Sequence, residues 1–203
     1  MEAPIVSGVG DQKKTDSCLT VATAPYTEVV LRPFEFVQAA QVGADRIVRN
    51  YRNASWIQDG HRKELPLVAQ HASVAAELAV ARVLGQYPTA VGAWDAGRHF
   101  EFSGLPDVGE NVEVKRVTSL GATCFSFQQK DVDRTLAVCY VEEPSLAVVR
   151  VLGWVSGHKA VEAGWVTEQH GTGKWWYRAP LRILKLSGTR NELEIKNEKG
   201  NER

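Results

Sequence analysis

Three cysteines in 203 residues, Cys18, Cys124 and Cys139, are too few and too far apart for a disulfide framework. None stands in a C-x-x-C pair, so no zinc knuckle is indicated, and a reduced, cytoplasmic setting is the simplest reading. No stretch approaches the ~18 consecutive apolar residues of a membrane helix, so no membrane partner is expected. The opening residues, MEAPIVSGVGDQKK, lack the basic-then-apolar pattern of a secretory signal. Net charge is missing as well, because 24 Lys and Arg balance 24 Asp and Glu. A protein that coats nucleic acid normally carries a basic excess, since phosphate contacts supply most of its non-specific affinity. Neutrality argues against a large nucleic-acid footprint but allows a local basic cleft beside a carboxylate-rich site. What remains is ordinary globular composition, 44% hydrophobic and 24% charged, on a chain long enough for one domain with a sizeable core.

Residues 1–27 are polar, Gly-containing and aperiodic, and read as a flexible lead-in. A helix is expected from Pro33, with Phe34, Val37, Ala40, Ile47 and Val48 along it. The segment from Tyr51 to Pro66 carries Asn53, Ser55, Asp59-Gly60 and Pro66 and reads as a long loop. A second, Ala-rich helix is expected over about Ala72–Leu84, with Gly85 placed for a left-handed cap. The period then falls to about two. Strands are expected at 98–102, 111–117, 123–129, 135–141 and 147–154, a short helix over 158–165, and a last strand at 175–177. The charged tail from 187 to 203 lacks aromatics and reads as frayed. This order predicts a single domain over 28–186 of α/β (α+β) class, with helices covering a central mixed sheet.

The stretch Gly104-Leu-Pro-Asp107-Val-Gly-Glu-Asn-Val-Glu113-Val-Lys115-Arg-Val117 carries the chemistry. On a strand, Val112, Val114 and Arg116 share one face, and Glu113 and Lys115 are side by side on the other. Gly104, Pro106 and Gly109 let the chain bend back, bringing Asp107 towards them. Two carboxylates bind a hard divalent ion through oxygen, and magnesium keeps water positions open for a phosphate. A lysine beside them can orient or deprotonate the attacking water, or neutralise charge developing on the phosphate. E-x-K alone also describes an exposed ion pair contributing ~0.2–1 kcal/mol. The Pro-Asp upstream and the intervening glycines favour the site. Glu77 stands in an otherwise apolar, Ala-rich helix, where a carboxylate is costly unless paired or metal-bound. It is a candidate further ligand, or a residue on the helix's solvated edge.

The helix A-E-L-A-V-A-R-V-L-G, then P-D-V-G, then V-E-V-K resembles the motif order of the PD-(D/E)XK nucleases. Leu31-Arg-Pro-Phe-Glu-Phe, Ala40-Gln-Val-Gly43, His71 upstream of Glu77, and Val151-Leu-Gly-Trp-Val-Ser-Gly157 are similar to small phage- and prophage-type members. The resemblance covers about residues 30–185. It implies a restriction-endonuclease-like fold, metal ligands at Asp107, Glu113 and Glu77, a catalytic Lys115, Mg2+ or Mn2+ as cofactor, DNA as partner, and a phage or bacterial cytoplasmic setting. Homodimerisation stays open. Ala76 departs from the glycine that similar proteins often place before the helix glutamate. The superfamily also contains inactive members.

His71 near the expected helix start is a candidate phosphate contact, and Arg116 and Lys130 flank the site as candidates for the DNA backbone. Each also reads as a capping or solvated residue. Trp154, Trp165, Trp175 and Trp176 read as packing residues, and Gly171–Lys174 as a turn, because it lacks the phosphate-loop spacing. The rival functions are a non-catalytic nucleic-acid- or protein-binding module on the same fold, and a metal-dependent hydrolase of another phosphate substrate.

Overall fold

The computed structural model describes residues 19–52, 65–89, 91, 105–168 and 175–185. In order these form β1 (Thr27–Val30), α1 (Pro33–Arg52), α2 (Pro66–Leu84), β2 (Val112–Val117), β3 (Cys124–Phe127), β4 (Thr135–Val141), β5 (Val148–Ser156), α3 (Gly157–Ala163), β6 (Trp165–Glu168) and β7 (Trp175–Pro180). Single 3-10 turns follow β3 at Gln129–Asp131 and β7 at Leu181–Ile183. The expected strand at 98–102, the turn at 171–174 and the tail from 187 lie outside the described residues.

The main sheet has the order β1-β5-β4-β2. It is mixed: β2 runs parallel to β4, while β4/β5 and β5/β1 are antiparallel. A second, antiparallel sheet has the order β3-β7-β6. Strand β4 reads TLAVCYV, and its Leu136, Ala137, Val138 and Cys139 are fully buried. A strand covered on both faces needs such a continuous apolar run. Its odd and even residues serve different cores. Ala137 and Cys139 join Val112, Val149, Val151 and the α2 residues Val74, Ala75 and Leu78, whereas Leu136 and Val138 join Phe125, Phe127, Leu152, Ala160 and Leu181. The main sheet is therefore sandwiched between the α1/α2 layer and a layer of the small sheet with α3. Burial at Cys139 pushes its thiol far above the usual range, so it is a packing residue and not a nucleophile.

Helix α2 begins six residues before its expected start. Pro66 stands in its first turn, where a missing N–H leaves no bond unmade, and Gly85 closes it at φ 63°, its N–H and that of Gln86 returning to Arg82 and Ala81 carbonyls. Among the described helices it is long and apolar enough to cross a membrane, with mean hydropathy 1.3, yet 61% of that window is buried inside the fold, as suits a central core helix. Helix α1 likewise takes in Tyr51 and Arg52, which were expected in a loop. The two helices cross closely at Gly43, where a Cβ would stand 2.8 Å from the His71 backbone nitrogen.

The lead-in expected over residues 1–27 ends earlier. Val21 is fully buried and Ala24 nearly so, both in the second core, and the Val21 and Ala22 N–H groups donate to Ala122 and Leu120 carbonyls. Strand β1 follows, with only Val29 buried. Strand β6 was not expected, and Trp165 on it is half exposed, whereas Trp154 packs in the core as expected.

Candidate active site

The site is assembled at the outer edge of β2, whose one strand partner among the described residues is β4. A tight turn precedes it. The N–H and carbonyl groups of Val108 and Val112 bond each other reciprocally, and Gly109 takes φ 57° between them. A side chain there would also meet the end of the flexible Gln86 side chain, but it is the positive φ that calls for glycine. The turn lays Asp107 back along β2, where its Oδ2 accepts the outward-facing Val114 N–H at 2.8 Å.

The expected alternation along β2 holds. Val112 and Val114 pack on the helix side, and Glu113 and Lys115 share the opposite face. That face lies beneath the second layer; Glu113 is only 7% exposed and Lys115 is partly buried. Lys115 Nζ lies 3.0 Å from Glu113 Oε1 and 2.8 Å from Asp131 Oδ2. Arg134 Nη1 closes on Glu113 Oε2. From the helix side, Glu77 is buried, and both its oxygens are held at 2.7 Å by the two terminal nitrogens of Arg46 on α1.

Asp107 joins the two halves. Its carboxyl is pushed up to about 8, by burial first and then by the negative charges of Glu77 and Glu113, with the Val114 N–H and Lys115 pulling the other way. Both glutamates are thus electrically close to it. Around this point four carboxyl groups, Glu77, Asp107, Glu113 and Asp131, meet three cations, Arg46, Lys115 and Arg134. Burial and these like charges favour the protonated form of Asp107. For Lys115 burial works to lower the pKa, but Glu113 and Asp131 outweigh it and the ammonium is held charged. At Arg46 burial likewise opposes the charge and is outweighed, by Glu77 and then by Asp107.

Compared with family models, curated proteins and solved structures, this chain matches none. Its chemistry is therefore argued from its own residues.

The donor set fits a hard divalent ion in kind, being carboxyl oxygens that outnumber the neighbouring cations. Among the described residues no three His, Cys, Asp or Glu side chains form a ready metal cage. Arg46 and Arg134 pair with Glu77 and Glu113, so those carboxylates already have cationic partners.

Asp107, Glu113, Lys115 and Glu77 are brought together. His71 is not at a helix start: α2 begins at Pro66, and His71 is buried against Phe36, ring centroids 4.7 Å apart. Burial lowers its pKa and keeps it neutral, and its Nε2 lacks a hydrogen-bond partner, so the dipole argument for a phosphate contact falls away. Arg116 lies on the Val112/Val114 face of β2, opposite Glu113, and Lys130 is exposed on the 3-10 turn. Arg46, Asp131 and Arg134 went unremarked in the sequence. The one local signal was Asp131, three residues after Gln128 and able to cap a turn.

Proposed function

We propose that this chain is a metal-dependent nuclease of restriction-endonuclease-like fold that hydrolyses phosphodiester bonds in DNA at Asp107, Glu113 and Lys115. The observation that carries the reading is the meeting of these three side chains on β2 and the turn before it, with Asp107 held to the Val114 N–H and electrically coupled to Glu113 and Lys115. Asp107 and Glu113 would hold Mg2+ or Mn2+, because both offer hard oxygen donors. When bound, such an ion supplies Lewis acidity and a water of lowered pKa. Glu77, with both oxygens on Arg46, sets the charge beside Asp107 and is not assigned as a ligand. Lys115, held charged, serves to neutralise charge growing on the phosphate; taking a proton from water is the poorer role for an ammonium so stabilised. Arg134 offers a second cation beside Glu113.

One observation favours a second reading, a non-catalytic binding module. Every oxygen of Glu77 and Glu113 already has a cationic partner within the chain.

Incubating the protein with linear duplex, single-stranded and branched DNA, with and without Mg2+, separates the two, alongside calorimetry with Mn2+. The nuclease reading expects Mg2+-dependent cleavage. Asp107→Ala should lose both ion binding and cleavage, and Lys115→Ala should keep the ion but cut ~10²–10⁴-fold more slowly. A wild-type protein that binds no divalent ion, with or without DNA, makes the binding module the correct reading.

A further inference from the structure

Lys115 is an ammonium on a flexible four-carbon stem, and such a group is only as well placed as its partners. Glu113 is a weak guide, being two residues away on the same strand and shared with Arg134. Asp131 is different. It is fully buried, it comes from the second layer, and its Oδ2 accepts both the Lys115 ammonium and the Gln128 N–H, each at 2.8 Å. The turn that carries it is fixed from several sides. Gln128 and Asp131 form a reciprocal capping box. The Tyr177 hydroxyl on β7 meets Gln129 Oε1. Gly157, the first residue of α3, donates its N–H to the Arg134 carbonyl at 2.8 Å and lies so close that a Cβ would stand 2.6 Å from the Asp131 carbonyl oxygen. Little in this turn can move without disturbing β7 or α3.

We infer that Asp131 is the positioning residue for Lys115, a fixed post by which the β3-β4 turn holds the ammonium beside Glu113 on β2. Its role in catalysis rests on the nuclease reading; its hold on Lys115 does not. Removing the post leaves Lys115 its Glu113 partner and its place in the sequence but frees its stem. The reacting geometry then loosens, and a misplacement near 1 Å can slow a reaction by about 10²-fold. Substrate and ion affinity, set by other groups, stay the same.

The decisive measurement is made on the unaltered protein, with one variant used only for assignment. In protein labelled with nitrogen-15 at lysine and carbon-13 at aspartate, the Lys115 ammonium signal is assigned by its loss in Lys115→Arg. A through-hydrogen-bond coupling from its Nζ to the carboxylate carbon of Asp131 is expected, and its absence from a well-resolved signal overturns the proposal. Asp131→Asn, which keeps an acceptor for the Gln128 N–H, is then expected to speed exchange of the ammonium protons. It should lower kcat about 10²-fold with KM for DNA and the Mg2+ requirement unchanged. An unchanged ammonium signal, or an unchanged kcat in protein whose wild type cuts DNA, also overturns it. A wild type that cuts no DNA defeats the nuclease reading, and the coupling alone then decides whether Asp131 holds Lys115.

Discussion

Asp107 gives the site its pH signature. A carboxyl with an ordinary value near 3.8 that is pushed up to about 8 keeps its proton in the folded chain while the unfolded chain releases it. Between those values the folded state binds more protons, so metal-free stability is highest at acid pH and falls as pH rises towards 8, levelling beyond it. Asp107→Asn keeps an acceptor for the Val114 N–H and cannot ionise. Denaturant unfolding should find the variant equal to wild type near pH 4 and more stable at pH 9, by a few kcal/mol at most. Parallel pH profiles for the two proteins would show that Asp107 is already solvated or paired. Arg46 should behave in the opposite sense. Arg46→Met leaves Glu77 buried without its partner and next to Asp107, and should destabilise by about 3–5 kcal/mol at neutral pH. Adding Glu77→Gln to that variant should recover part of the loss, as a double-mutant cycle would measure.

At the level of elements, the close crossing of α1 and α2 reverses a familiar rule. Replacing glycine by alanine inside an exposed helix gains about 1 kcal/mol. At Gly43 the added methyl would meet backbone atoms of His71 and Gln70 at 2.8–3.1 Å, and backbone gives way less easily than a side chain. Gly43→Ala should therefore destabilise, by ~1–3 kcal/mol, through a forced separation of the helices. A midpoint in urea equal to or above that of wild type would refute the close approach. The elements most legible in the sequence were those with a period or a cap to announce them. The β4 run of apolar residues, the alternation in β2 and the glycine after α2 each follow from local chemistry. Strand β1 was missed because a four-residue edge strand with one buried side chain has no readable period. The start of α2 was missed because a proline reads equally as a breaker and as a first-turn residue. Asp107, Glu113 and Lys115 could be found because a single turn and strand carry them. Arg46 and Arg134 could not, because their partners lie 31 and 21 residues away and only the packed layers bring them in.

For the whole molecule, the boundary of the fold moves towards the N-terminus. Val21 is fully buried in the second core, and burial of a valine side chain stabilises by ~1.5–3 kcal/mol. Deleting residues 2–24 should lower the thermal midpoint by roughly 5–10 °C relative to a chain beginning at Leu19, at ~2–4 °C per kcal/mol for a domain of this size. Calorimetry on the two truncations decides it, and equal midpoints would return residues 19–24 to the lead-in.

The pairing of β1 with β5 has a temporal consequence. Thr27 finds its partner only at Val151, more than a hundred residues later in the chain. During synthesis at about 5–20 residues per second, β1 waits on the order of ten seconds before any partner strand leaves the ribosome. Helices α1 and α2 are complete well before then and have each other to pack against, while the nearby hairpin of β4 and β5 forms as soon as it emerges. The last seam to close is thus the one joining the earliest strand to the latest of the main sheet. Until it closes, Val29 and Leu31 are exposed in the nascent chain, and that interval is where a chaperone would find this protein.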